Sequence, residues 1–262
     1  MSNESDAAVM VRIIMQEAAQ KSGTLIRSID RTHLHVGTKK GDPRNIVTLA
    51  DTTSEQCITS ILQALPEFGF AGEEGAERPG TKGIFYIDPL DGTIPFSAGL
   101  ETYSVSIGLV QNGTPTHGVI FYPANSCMLY AESGEFVSRK ISPVEPKLIH
   151  NLVVGFDYSL GMDRELQVRD YYLPLVKATR YVLTFACVTW ACRLIMEGKL
   201  DAYVHPGATP YDWAAAACIL QEAGAVVCNF DGKPLDFSQK RVPAIAARNQ
   251  EIMDTILNIY KH

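Results

Sequence analysis

The chain has no Cys-x-x-Cys pair, no histidines at zinc-ligand spacing, no apolar run of about eighteen residues and no surplus of basic charge. Each absence removes a class of function. Cys57, Cys127, Cys187, Cys192, Cys218 and Cys228 are scattered, mostly through apolar segments, and read as reduced core residues with no thiol chemistry. A formal charge of −6 argues against holding a nucleic acid polymer on a basic face. Without a long apolar run there is no candidate membrane span, and Met1 to Asp6 is polar and acidic, unlike the basic start of a secretory signal. The expectation is a soluble cytoplasmic protein. Internal repeats and low-complexity tracts are also missing. What is present is 262 residues with 46% hydrophobic content, enough for one large domain or two closely packed lobes.

The patterning is mixed. Ala7 to Ser28 places Met10, Val11, Ile14 and Ala18 on one helical face, and a polar stretch with a glycine follows from Thr38 to Asn45. Thr52 and Glu55 make a capping-box pattern before Ile58, Ile61, Leu62 and Leu65, with Pro66 as the stop, so Asp51 falls at the mouth of a helix. From Ile84 to Ala131 short β-rich runs (Ser104–Leu109, Gly118–Tyr122, Met128–Ala131) suggest a meandering sheet with helices layered against it. Ser138 to Lys147, with Pro143 and Pro146, is the candidate boundary between a lobe of residues 1–145 and a lobe of residues 146–262. The second half alternates. Strand-like Leu152–Phe156, Tyr181–Phe185 and Asp201–Val204 are separated by helical stretches, a helix after Asp212 ends at Gly224, and a last helix opens at Asn249.

The most informative run is Asp88-Pro89-Leu90-Asp91-Gly92-Thr93, directly after the apolar Gly83 to Ile87. As a turn it needs no function, since Asp, Pro and Gly are common turn residues. As a site, its two carboxylates converge on a hard divalent ion while Gly92 and Thr93 offer amides to an anion. Further acids favour the site. Glu73 and Glu74 lie between glycines after an apolar stretch, and Asp212 precedes the alanine-rich Ala214 to Ala217, where taken alone it is an ordinary N-cap.

In this order the blocks resemble the inositol monophosphatase family of magnesium-dependent, lithium-sensitive phosphatases. The matching pieces are Asp51 to Glu55, Gly72-Glu73-Glu74, Asp88 to Thr93, Ser104 to Leu109, and Tyr211-Asp212 continuing to Glu222-Ala223-Gly224. The resemblance implies an α/β (α+β) chain folded as a layered α-β-α-β-α sandwich of the inositol monophosphatase and fructose-1,6-bisphosphatase type. The first lobe would carry most metal ligands, and the second would complete the site with Asp212. Two or three Mg²⁺ ions are implied. Glu73, Asp88 and the carbonyl of Leu90 would hold the first ion, and Asp88, Asp91 and Asp212 the second. Glu73, Thr93 and Asp51 would activate water, and the amides of Gly92 and Thr93 would cradle phosphate. Glu74 would support this set, bind a third ion, or equally have a purely structural role. Asp91, Gly92, Thr93, Ala186, His205 and Asp212 would touch substrate, and the family suggests a homodimer.

Several positions depart from the family pattern, and those at Ala186-Cys187-Val188 and His205 fall, by the resemblance, on the side away from the phosphate. Ile94 and Pro95 follow the Asp-Gly-Thr, Tyr211 replaces a common tryptophan, and Ala186-Cys187-Val188 stands where Gly-Ser/Thr-Ala is usual. His205 stands where the animal inositol enzymes have a glutamate that reaches inositol hydroxyls, although it can equally be a packing residue before Pro206. The size of the chain and its complete metal set still make inositol 1-phosphate the first candidate substrate. Fructose 1,6-bisphosphate, histidinol phosphate and 3′-phosphoadenosine 5′-phosphate are alternatives, and a noncatalytic partner-binding protein is the reading from another class. A bisphosphate or nucleotide calls for nearby basic residues, for which Arg180, Arg193 and Lys199 are the candidates in sequence.

Overall fold

In the computed structural model, residues 2–31, 34, 36–39, 42–142 and 145–261 are described. Gly41 of the polar stretch, and Met1 and Pro143, lie outside them. The first helix, α1 (Ser2–Ser28), buries Val11, Ile14, Met15, Ala18 and Ala19, while Met10 is exposed. Met10 was expected on the buried face. Val11, Met15, Ala18 and Ser22 repeat at helical spacing, and that stripe leaves position 10 one residue outside its edge.

A short antiparallel ribbon, β1 (Val36–Thr38) with β2 (Ile46–Thr48), leads into α2 (Leu49–Leu62). The capping box lies one turn earlier than the sequence pattern indicated. Thr48 is the N-cap, and the Asp51 carboxylate at N3 accepts the Thr48 amide, so Asp51 sits inside the first turn. Glu55 is thereby freed for a distant task described below. The two helices pack side by side, with Ser22 and Ser54 hydroxyls 2.5 Å apart in the seam.

Their apolar faces cover one side of a seven-stranded sheet. Its strands are β3 (Gly69–Gly72), β4 (Glu77–Arg78), β5 (Ile84–Asp91), β6 (Ser104–Gln111), β7 (Thr114–Tyr122), β8 (Cys127–Glu132) and β9 (Phe136–Val137), in the order β4-β3-β5-β6-β7-β8-β9. β3 and β5 run parallel, and the other pairs are antiparallel. Val105, Ile107 and Leu109 of β6 join the core beneath α1 and α2. The alternate residues, Ser104, Ser106 and Gly108, are also buried, because a second helical layer covers the other face.

That layer is α6 (Val188–Met196) with α7 (Pro210–Ala223). The alanine-rich α7 lies unusually close to the sheet. A side chain at Gly108 would meet the Ala215 backbone nitrogen, and one at Gly118 would come 2.5 Å from the Ala215 carbonyl oxygen. Only glycines facing alanines permit this approach. It brings the start of α7, and hence Asp212, over the end of β5.

The far face of α6 and α7 packs on a five-stranded sheet in the order β11-β10-β12-β14-β13, comprising β10 (Val153–Phe156), β11 (Tyr181–Leu183), β12 (Ala202–Ala208), β13 (Val226–Cys228) and β14 (Val242–Ala247). A last layer holds α4 (Arg164–Gln167), a π turn over Val168–Tyr172, α5 (Leu173–Ala178) and α8 (Gln250–Ile259). Leu175, Ile252, Met253 and Ile256 bury against the five-stranded sheet from this side. The layering is the expected α-β-α-β-α sandwich. One core cluster joins Ile120 and Leu129 of the first half to Ile195, Trp213 and Ala246 of the second. No helix among the described residues is long and apolar enough to cross a membrane.

Candidate active site

Residues three apart on a regular strand point to opposite faces, so Asp88 and Asp91 should diverge. They do not, because the β5–β6 register shifts between them. Pro89, which cannot donate to a ladder, occupies this irregular stretch, as prolines in sheets do at bulges. Gly92 then turns through φ 92°, where a side chain would come 2.5 Å from the Thr102 carbonyl, and a short helix α3 (Thr93–Ser97) begins. Asp88, Asp91 and Asp212 each offer a carboxylate oxygen within 4.8 Å of the other two.

Each acid is fixed by its own local bonds. Asp88 accepts the Leu90 amide at 3.0 Å. Asp91 accepts both the amide and the hydroxyl of Thr189, each at 2.7 Å, at the opening of α6. Asp212 is N3 of a capping box, not the N-cap, and accepts the Thr209 amide at 2.6 Å and its hydroxyl at 2.7 Å. Burial and mutual repulsion hold all three above the ordinary carboxylate range. Asp88 is raised well above it by burial and the charges of Glu73, Asp91 and Asp212. Asp91 is raised by burial against the pull of Thr189, and Asp212 is pushed up to about 7 by burial, Asp91 and Glu73. Three acids made this reluctant to ionise together form a site that calls for cations.

The Thr93 hydroxyl lies 2.9 Å from Asp51 Oδ1 and 3.0 Å from the Leu90 carbonyl, with one proton to give. The other Asp51 oxygen accepts from Thr48, and burial raises the acid. Asp51 is wholly buried and reaches the cleft only through Thr93.

Glu73 stands apart from the three-acid cluster. Lys39 Nζ lies 2.8 Å from Glu73 and 2.5 Å from Glu74. Burial and the nearby acids push Glu74 up to about 7 against the pull of Lys39, while the two glutamates keep Lys39 charged despite its burial. The loop itself is pinned from below. Buried Glu55 accepts the amides of Glu74 and Ala76, both at 2.8 Å, and Gly72 leaves room for its carboxylate. Glu55→Ala would leave two amides without their anion, and we expect a loss of about 3 kcal/mol in urea unfolding. An unchanged midpoint would show that water replaces the carboxylate.

Asp88, Asp91, Asp212, Thr93, Glu73 and Lys39 line a cleft of about 650 Å³, together with Leu90, Ala186 and His205. Of the basic residues considered from sequence, Arg180 bonds Asn151, and Arg193 and Lys199 pair with Glu197, and none lines the cleft. Lys39, Arg164 and Arg241 line it instead, and nothing in their local sequence announced them. Asp157 was also missed. It accepts the amides of Phe185 and Ala186 and the Tyr203 hydroxyl, and so holds Ala186 at φ 51°, a backbone usually left to glycine. All six cysteines are free, and Cys187, although at the cleft, is held well above the usual thiol range by burial.

The model of the inositol monophosphatase family matches residues 8–261. The chain belongs to that family. It is therefore a phosphatase of the hydrolase class. An inositol-1-monophosphatase of Bacillus subtilis is 26% identical over 85% of this chain and 86% of its own length. A fructose-1,6-bisphosphatase/inositol-1-monophosphatase of Thermotoga maritima is 30% identical over 74% and 75%. Among solved structures, the extragenic suppressor protein suhB of Bartonella henselae superposes with a TM-score of 0.85 at 26% identity, covering 96% of this chain and 98% of that one. The family is metal-dependent, and the acidic cluster fits that chemistry.

Proposed function

We propose that the cleft hydrolyses a phosphate monoester of a small polyol or sugar with Mg²⁺, inositol 1-phosphate being the first ester to try. The observation that carries this reading is the meeting of Asp88, Asp91 and Asp212 beside the Thr93–Asp51 pair. An all-oxygen donor set suits magnesium better than zinc. Asp88, Asp91 and Asp212, with Glu73 and the Leu90 carbonyl, would hold two or three ions. Bound Mg²⁺ would supply Lewis-acid polarisation of the phosphoryl and water oxygens. Lys39 is the counter-charge of Glu73 and would yield that carboxylate to a bound ion.

The protein's own part is proton handling and orientation. Thr93 Oγ accepts a hydrogen bond from the attacking water and passes its own proton to Asp51, whose burial makes it a willing acceptor. Glu73 is the second acceptor for that water, and the amides of Gly92 and Thr93 face the phosphate oxygens. A cytoplasmic homodimer inhibited by lithium completes the reading, on family resemblance.

Phosphate release from inositol 1-phosphate, fructose 1,6-bisphosphate, histidinol phosphate and 3′-phosphoadenosine 5′-phosphate, with and without Mg²⁺, tests it. Release from none of them would sink the reading. Thr93→Ala should lower kcat by about 10²-fold, the scale of lost proton transfer, with KM within about twofold. A change in KM alone would move Thr93 from water activation to binding.

A further inference from the structure

We propose that the wall of the cleft facing the leaving group is a subsite for a second phosphate, built on Arg241 and His205. Among phosphate monoesters the cleft then prefers one whose leaving group carries a second phosphate, a sugar or nucleoside bisphosphate, over one with an uncharged leaving group such as inositol 1-phosphate. This rests on the hydrolysis proposed above and adds the substrate class.

One residue, Gly207, holds both donors. The amide of Gly207 donates to His205 Nδ1 at 3.2 Å, and its carbonyl accepts from Arg241 Nη1 at 2.8 Å. The first bond fixes the tautomer of His205. With Nδ1 accepting, Nε2 carries the proton and is a donor. His205 is only 6% exposed and lines the cleft, and its Nε2 has no partner among the described residues.

Arg241 is fixed as firmly. Nη1 also donates to the Ser159 hydroxyl, and Gly161 lies directly against Nη2, where no side chain would fit. Among the described residues no carboxylate pairs with this half-buried guanidinium. The acids of the cleft lining outside the three-acid cluster and Glu73 are already engaged. Asp42 is held bidentately by Arg44 at 2.9 and 3.0 Å, and Asp157 accepts two amides and the Tyr203 hydroxyl.

Both Nη1 protons are spent on Ser159 and Gly207, which leaves the Nε–Nη2 edge of this half-buried cation without a counter-ion, a costly state that a phosphate held bidentately along that edge relieves. The adjacent Nε2–H adds a third donor. Donors with no free carboxylate beside them favour an anion over a neutral hydroxyl. The cleft, about 650 Å³, is large enough for a molecule bearing two phosphates.

The test uses the Mg²⁺-loaded protein and matched pairs: fructose 1,6-bisphosphate against fructose 1-phosphate, and adenosine 3′,5′-bisphosphate against adenosine 3′-phosphate. β-Glycerophosphate serves as a generic ester. In at least one pair the bisphosphate should be preferred by about tenfold or more in kcat/KM, the scale of one charge-assisted pair. Which pair responds tells a sugar from a nucleoside leaving group. The ratio should fall toward one in Arg241→Gln, stay intermediate in Arg241→Lys, and shrink in the wild type as salt is added. Should Arg241→Gln not fold, the lysine variant and the salt dependence decide. A wild-type ratio of one in both pairs, or a ratio that both variants leave unchanged, overturns the subsite. Turnover of β-glycerophosphate without that preference removes the subsite alone, whereas release from no ester removes the hydrolase reading with it.

Discussion

Asp91→Asn should reduce turnover by at least about 10²–10³-fold, the loss seen when one preorganised charge stabiliser is removed, while the metal-free protein becomes more stable. The two effects have one cause. Asp91 Oδ2 accepts both bonds from Thr189, so an asparagine can keep them with its amide oxygen and turn its NH₂ toward Asp88 and Asp212. The anchor to α6 survives, and an anion facing two others becomes a donor. Asp88 and Asp212, both raised partly by the charge of Asp91, should then ionise more readily. The measurements are phosphate release with saturating Mg²⁺ and calorimetric melting in chelator near neutral pH. Undiminished turnover would remove the metal-site assignment. A large drop in melting temperature would show that the second carboxylate oxygen matters to the fold more than repulsion does.

What the sequence disclosed and what it hid divide along chain separation. Asp88 to Thr93 is legible because strand, bulge, glycine turn and hydroxyl lie within six positions, and local chemistry dictates local geometry. The helix starts were legible in kind and misplaced in register. Both Thr48-x-x-Asp51 and Thr52-x-x-Glu55 fit a capping box, and only the distant amides of Glu74 and Ala76 decide that Glu55 is used elsewhere. Asp212 shows the same ambiguity. Thr209 with Pro210 at the first helical position was the better start signal, and it moves Asp212 to N3.

Of the cleft wall, Ala186 and His205 were legible through the family resemblance, but its basic residues were not. Arg241 meets Ser159 and Gly207 from 82 and 34 residues away, and Lys39 meets Glu73 across 34. No periodicity or motif encodes those encounters. Arg193 and Lys199, near Ala186 in sequence, turn to Glu197 instead. Proximity along the chain was a poor guide to charge in the cleft, because a helix that begins at the site carries its later residues away from it.

Stabilisation of the chelated protein by added Mg²⁺ should be larger at pH 8 than at pH 5.5. Asp212, with a folded value of about 7, lies far above its unfolded range near 4, so the folded metal-free protein keeps a proton that the unfolded chain has released. Its contribution to stability is fully present below the unfolded value and is lost as pH rises through 7. Asp88 and Asp91 are shifted the same way. At pH 5.5 magnesium must displace those protons, and at pH 8 it meets bare carboxylates, so its affinity gains up to about tenfold per pH unit for each proton displaced. At a concentration a hundredfold above Kd the metal adds about 2.7 kcal/mol, and each proton in the way subtracts about 1.4 kcal/mol per pH unit. His205, held down near 3 by burial and Arg241, opposes this trend in absolute stability, but it is common to both samples and cancels in the difference. Melting with and without Mg²⁺ at each pH reads that difference directly. Equal shifts at both values would mean that the three carboxylates do not give up protons to the metal, and the ligand set would have to be sought elsewhere in the cleft.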